Sequence, residues 1–537
     1  MLGKALDFQE TYMTLITPSR RQFLTGGLTV PCVAALPLCS LAQGALGPFT
    51  LGVASGDPAS DGFVIWTRLA PDPLAPDGLG GMTTPTKVRW FVYDDEAMSR
   101  PVAQGEISTS PLAAHAVHVE VAGLKPDRFY NYRFEALGAR SATGRARTLP
   151  LPSAKPQRLK LAYASCSHYE KGWFSAYRHM ADEDPDYSVF LGDYIYEYSY
   201  KKPDGLVRHH EQIGDVRTLS EFRRRYALYR LDADLQALHA RTTSLITWDD
   251  HEVQNDYGGF LSEYMDDDVN MLSIRQAAYQ AFYEMMPLRR TSRLIGTHVH
   301  LYKAFRFGDL ADITLLDGRQ YRSPAACPVN GVRKGHVVTD ACIDRLDPKR
   351  SMLGIQQEAW LYDRFAKSHT TWNIIAQDLL VASFTQTGRD KAGNTIVGHW
   401  TDGWDGYPAT RDRLLAAIQS TRLKNPVMLG GDIHSFWATD LKADFSNPNS
   451  ATIATEFVGT SVTSDGPPRK AFADRLPENP HIKYFNSGTH GYVVAEVTPQ
   501  QMAVRFRAIS DRADPNATVA TERAFTVENG RAGVIMA

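Results

Sequence analysis

Three short apolar runs in this chain end in the same way, and that recurrence constrains its fold more than any other feature. Tyr187-Ser188-Val189-Phe190-Leu191 passes through Gly192 into Asp193. Ser244-Leu245-Ile246-Thr247-Trp248 passes directly into Asp249-Asp250-His251-Glu252, and Pro426-Val427-Met428-Leu429 passes through Gly430-Gly431 into Asp432-Ile433-His434. Runs of this length bounded by turn residues read as buried strands, and α/β sheets present their ligand-binding groups at strand carboxyl ends. One Gly-Asp turn is compatible with an ordinary loop. Three tips carrying carboxylates and imidazoles point to a shared cation site, because carboxylates suit hard cations and imidazole suits transition metals.

A fourth tip belongs with them. Leu159-Lys160-Leu161-Ala162-Tyr163-Ala164-Ser165-Cys166 reads as a strand, and helical text over about 174–183 joins it to the strand ending at Asp193. That is a βαβ unit, which sets Cys166 beside Asp193 if the two strands are neighbours. A lone buried cysteine is usually packing, whereas a thiolate at a strand tip needs a nearby cation to stay ionised. Asp432-x-His434, taken as extended, sends both side chains to one side. The strand Ala311–Leu316 delivers Asp317, then Arg319 and Arg322. Their guanidinium forks either meet phosphate oxygens or pair structurally with Asp317. The stretch 401–407 reads as a pocket rim or a plain loop.

The 537 residues imply two domains. Before residue 150 the short runs Phe63–Thr67, Val88–Tyr93, Ala116–Val121 and Tyr130–Phe134, separated by Gly, Pro and Asp turns, predict a small β-sandwich over 47–150. Pro150, Pro152 and Pro156 read as a linker to a larger domain over 158–537. Helices are expected over 219–240, 271–286, 354–366 and 410–419. The late runs Glu456–Ser461, Tyr492–Val497 and 502–508 read as sheet completion.

Residues 1–42 read as an export segment. Ser19-Arg20-Arg21-Gln22-Phe23-Leu24 is a twin-arginine signature, followed by an apolar run broken by Gly26, Gly27 and Pro31 and a small-residue site at Ser40-Leu41-Ala42. The expected partner is the twin-arginine translocation machinery, and the expected location is periplasmic or secreted. The run is too short and interrupted for a stable membrane span. A net charge of −2 gives no electrostatic basis for binding nucleic acid or a membrane surface. Cys327 and Cys342 flank a loop in which an exported protein permits a disulfide; Cys166 is left over.

As an ordered set, Cys166, Gly192-Asp193-x-x-Tyr196, Asp249-Asp250-His251-Glu252 and Gly431-Asp432-x-His434 resemble the calcineurin-like metallophosphoesterases, and within them the PhoD-type alkaline phosphatase/phosphodiesterase family. Gly52-Val53-Ala54-Ser55-Gly56-Asp57-Pro58, Asp317-x-Arg319-Gln320-Tyr321-Arg322, Glu456–Ser461 and the export signal are similar to that family too. The resemblance covers nearly all of the mature chain. It implies an α/β fold: a two-sheet metallophosphoesterase sandwich flanked by helices, preceded by a small all-β sandwich of immunoglobulin or fibronectin type. It also implies a ferric ion (Fe3+) with calcium (Ca2+) beside it. Cys166, Asp193, Tyr196 and His434 would hold the iron, with Asp193 bridging. Asp250, Asp432 and Asn255 would hold calcium. His251 would face the substrate phosphate, with Arg319 as a second catalytic group. His168 competes with Tyr196 for the iron, and the Gly-Asp-x-x-Tyr spacing favours Tyr196. The imidazole that many relatives supply between the third and last motifs has no evident counterpart; Gln377 is the candidate. The implied reaction is hydrolysis of phosphate mono- or diesters by a metal-activated hydroxide. Two alternatives stand beside it, a phospholipase D-like phosphodiesterase and a non-catalytic exported binding protein with a structural metal site.

Overall fold

The computed structural model describes residues 47–202, 205–210, 214–389, 392–447 and 449–537. The export segment expected over 1–42 lies outside them. The βαβ unit forms as the sequence suggests. Strand Leu159–Ala164 pairs in parallel with Tyr187–Leu191, Leu161 opposite Tyr187 and Ala164 opposite Phe190, and helix Ser175–Asp182 connects them. Thr243–Thr247 pairs in parallel on the other side, Leu191 opposite Thr247. Every residue of these three strands is buried, as expected for parallel strands covered on both faces. The tips at Cys166, Asp193 and Asp249 therefore emerge side by side.

A second sheet carries the remaining tips. Ala311–Leu315, Trp372–Ala376, Pro426–Gly430 and Thr452–Val458 run parallel, with antiparallel strands at its edges. Strand side chains alternate between faces, and this divides the core. Leu161, Val189, Leu191 and Leu245 of the first sheet meet Ile313, Ile374, Val427 and Leu429 of the second in one inter-sheet cluster. Ala162, Phe190 and Ile246 point the other way, into helices. Ile375 and Met428 pack with Leu361, Phe365 and Leu414 of helices Ile355–Lys367 and Pro408–Ser420. The result is the expected two-sheet sandwich flanked by helices. No helix among the described residues is long and apolar enough to cross a membrane.

The N-terminal region is all-β, as expected, but it shares a wall with the larger unit. Val53–Ala59 pairs in parallel with Thr243–Thr247, and Gly62–Arg68 and Ala116–Val121 continue the same ten-stranded sheet. A smaller sheet containing Thr86–Tyr93, Ala103–Thr109 and Phe129–Ala136 closes over these strands, burying Phe63, Ile65 and Val119 against Val88, Val92 and Phe134. Asp57 clamps the join: its carboxylate accepts from Lys303 Nζ at 2.8 Å and from the Arg289 N–H at 2.8 Å. The helix expected over 219–240 is two, Leu219–Arg230 and Ala233–Arg241. Asp232 interrupts it, because its side chain accepts the N–H groups of Asp234 and Leu235 and so caps a new start.

Cys327 and Cys342 form a disulfide. The loop it closes reaches the acidic turn, where the Gly335 N–H donates to Asp256 at 2.7 Å. Closing 15 residues is worth roughly 2–3 kcal/mol in the chain-entropy view. The double variant Cys327→Ser/Cys342→Ser is therefore expected to unfold at lower urea. Dithiothreitol should shift the parent towards it and leave the variant unmoved.

Candidate metal centre

Gly192 is what allows two tips to touch. Its φ is +92°, and a Cβ there would lie 2.4 Å from both Cβ and backbone N of Asp249, a distance no side chain tolerates. Beyond the strands, Cys166, Asp193, Asp432 and His434 all turn into the left-handed region, with φ of 62°, 52°, 60° and 49°. Each such residue costs about 1–2 kcal/mol relative to ordinary backbone, and clustering of this kind marks functional sites. The extended reading of Asp432-x-His434 is corrected here. Both residues sit on a tight turn, so they face two neighbouring ligand groups rather than one side of a strand.

Those groups share Asp193. Ligand atoms of Cys166, Asp193 and His434 lie within 4.8 Å of one another, as do those of Asp193, Asp249, Asp250 and Asp432. The Tyr196 phenol oxygen joins the first group, 2.9 Å from Asp193 Oδ2 and 3.2 Å from His434 Nε2. His434 Nδ1 faces the Asp465 carbonyl at 2.8 Å, which aims Nε2 at the phenol. Sulfur, carboxylate, phenol and imidazole thus converge with more lone pairs than protons. Asp193 Oδ1, Asp249 Oδ2 and Asp250 Oδ1 are buried without a hydrogen-bond partner among the described residues. An unpaired buried acceptor costs about 1–3 kcal/mol, more when charged, and a cation is the partner this donor set fits.

The electrostatics agree. Burial pushes the Cys166 thiol well up, and Asp193 adds to it. Burial, then Asp193 and Cys166, do the same to the Tyr196 phenol. Burial raises Asp193 and Asp432 well above the usual carboxylate range, with Asp249 and Asp250 reinforcing it. Burial lowers His434 to about 4, which keeps its ring neutral and able to ligate. Burial also opposes a charge on His251, but Asp250, Glu197 and Asp193 outweigh it and raise His251 well above its ordinary value. Glu197 grips His251 Nδ1 at 2.7 Å while its other oxygen takes the Asn255 backbone N–H at 2.7 Å. Ligand atoms of Asp193, Asp250 and His251 also lie within 4.8 Å of one another.

Several sequence candidates take other places. The Arg319 side chain is 0% exposed. Its Nε donates to Asp249 and its Nη1 to Asp402 at 2.9 Å, while Nη2 stands 3.8 Å from Asp250 and 3.7 Å from Asp432. It lies beneath the acidic group as a counter-ion and does not offer an open fork to phosphate. Asp317 makes no side-chain pair with Arg319 or Arg322: its carboxylate accepts the backbone N–H groups of Arg319 and Gln320, the Gln320 amide and the Trp248 indole N–H, while Arg322 is bound by Asp402. Asn255 donates its side-chain amide to Glu263 at 3.0 Å. His168 lies outside the ligand groups; its Nδ1 accepts the Glu170 N–H and its ring packs 4.3 Å from that of Tyr196. Gln377 is structural, accepting from the Leu379 N–H and the Trp404 indole.

Other residues outside the expected ligand set also act at the site. Glu252 accepts the N–H groups of Asp193, Tyr194 and Asp249 at 3.1, 2.6 and 2.9 Å, tying two tips together. Burial raises it to about 7 despite those bonds. Asp378 has both carboxylate oxygens buried without a hydrogen-bond partner among the described residues and lies 3.6 Å from Arg319 Nε. Glu252 stood in the acidic turn and was readable there; for Asp378 and Asp402 the only sequence cue is an acid in a loop.

Residues 161–506 match the family model described as PhoD-like phosphatase, and residues 37–150 match PhoD-like phosphatase, N-terminal domain. Alkaline phosphatase D of Bacillus subtilis (strain 168) is 40% identical over 534 residues, covering 96% of this chain and 89% of that protein. A solved structure described as "Structure of PhoD" matches with a TM-score of 0.85 at 41% identity, covering 91% of this chain and 92% of that one.

Proposed function

The chain belongs to the PhoD-like phosphatase family and is a phosphoric ester hydrolase, and we propose that it cleaves phosphate mono- and diesters at a two-cation centre bridged by Asp193. The observation that carries this reading is the membership of Asp193 in both ligand groups. The first group, with Cys166, Tyr196 and His434, mixes thiolate, phenolate and imidazole and suits a ferric ion. The second, with Asp250 and Asp432, is built from oxygen donors and suits calcium. When bound, these cations supply Lewis acidity that activates water near neutral pH and offsets phosphoryl charge. The chain's own groups do the rest. His251, held by Glu197, presents Nε2 to the ester oxygen as proton donor. From beneath, Arg319 opposes the burial that raises Asp249 and Asp432.

Export through the twin-arginine machinery to the periplasm or beyond is part of the proposal. The Arg20-Arg21 motif supports it, and so does the Cys327–Cys342 disulfide, which fits an oxidising compartment.

The test is metal removal with product analysis. Chelation is expected to abolish hydrolysis of nitrophenyl phosphate and bis(nitrophenyl) phosphate, and ferric ion with calcium together should restore it. Full activity in protein shown by metal analysis to lack both would refute the centre. A colourless, zinc-loaded active enzyme would overturn the iron assignment alone.

A further inference from the structure

The run Glu456–Ser461 reads in the sequence as sheet completion and as part of the family resemblance. It does complete a sheet, and then leads into a loop lying against the first ligand group. The N–H groups of Thr463 and Ser464 approach the Cys166 carbonyl at 3.3 and 3.4 Å. The Asp465 carbonyl fixes His434 through Nδ1 at 2.8 Å, and its carboxylate is anchored by Lys171 at 2.8 Å and by Arg512. Between them Ser464 is 3% exposed. Its Oγ lies 2.6 Å from the Tyr196 phenol oxygen and 3.1 Å from the Cys166 carbonyl.

One hydroxyl proton cannot serve both acceptors. In the phenol form, Tyr196 gives its own proton to Asp193 Oδ2 at 2.9 Å, and Ser464 donates to the phenol oxygen at 2.6 Å, the Cys166 carbonyl being the longer contact. When the phenol oxygen becomes a ligand it releases that proton to solvent and gains a lone pair. The Ser464 O–H is then the short donor already in place to meet it, since Asp193 and the neutral His434 Nε2 offer the phenolate no proton. Donation to an ionised oxygen is the stronger kind of hydrogen bond, so the Ser464 bond to Tyr196 strengthens.

We propose that Ser464 is a positioning residue for the first cation: its hydroxyl stabilises the Tyr196 phenolate and sets how strongly that ligand donates. This rests on the ferric reading above and deepens it. A hydrogen bond lowers the energy of the phenolate lone pairs, so charge transfer from them to iron needs more energy. Removing the donor raises those orbitals.

The experiment is the visible spectrum of purified protein with its iron content measured, for the parent, Ser464→Ala and Ser464→Thr. The parent is expected to show a phenolate-to-iron band. Ser464→Ala should move it to longer wavelength at equal iron content, and Ser464→Thr, which keeps the hydroxyl, should leave it near the parent position. A band present in the parent and unmoved in Ser464→Ala overturns the role of Ser464 and leaves the ferric reading standing. An iron-loaded parent without the band overturns the ferric phenolate reading, and this inference with it. A merely structural role would change melting temperature and iron content, not the wavelength at equal loading.

Discussion

Asp193→Asn is expected to remove ester hydrolysis while leaving the metal-free protein as stable as its parent. Asp193 is common to all three sets of converging ligand atoms, the third being Asp193, Asp250 and His251, so its substitution reaches both proposed cations. Lewis-acid stabilisation of phosphoryl charge is worth several kcal/mol, and each 1.4 kcal/mol is a factor of ten in rate, so kcat is expected to fall by roughly 10³-fold or more. Stability is expected to escape the loss that core damage ordinarily brings. Asp193 is 1% exposed in its side chain, burial opposes its charge, and Asp249 and Asp250 repel it. Asparagine keeps the shape and removes the charge. Kinetics with nitrophenyl phosphate and urea unfolding after chelation measure the two halves. A variant retaining a tenth of parental kcat would sink the bridging role.

Arg319→Met tests the layer beneath. Methionine keeps much of the volume and none of the charge, leaving Asp249 without its closest cation while Asp402 keeps Arg322. Breaking a buried pair from one side costs about 3–5 kcal/mol, because the partner charge stays buried. The loss is expected to be greatest after chelation and smaller in metal-loaded protein, since bound cations would neutralise the same acidic group. Urea unfolding in both states measures it. Equal stability of parent and variant after chelation would remove Arg319 from its counter-ion role and reopen it to substrate.

The acidic tips were legible because each is a local pattern: a short apolar run, then a ligand-bearing turn, twice through glycine. The βαβ order of Leu159–Leu191 followed from the same text and placed Cys166 beside Asp193, where the Cys166 N–H now meets the Gly192 carbonyl at 3.3 Å. The N-terminal region was read correctly as all-β, yet its fusion to the large sheet was not visible. Ser55 pairs with Thr243 across 188 residues, and no local property of either strand announces that partner. Arg319 shows the same limit. The sequence places a guanidinium at a strand tip, but only packing shows that Asp249 and Asp402 already hold it.

Amino-acid order alone determined which residues can carry chemistry, because strand length, turn residues and side-chain type are properties of neighbours along the chain. Tertiary structure alone decided what each one faces. Asp378, Glu252 and Ser464 matter through groups far from them in the sequence, and the left-handed turns at Cys166, Asp193, Asp432 and His434 are held by packing that local preference would not choose. Contacts between distant segments set burial and charge, and these in turn decide whether a side chain ligates, supports or merely packs.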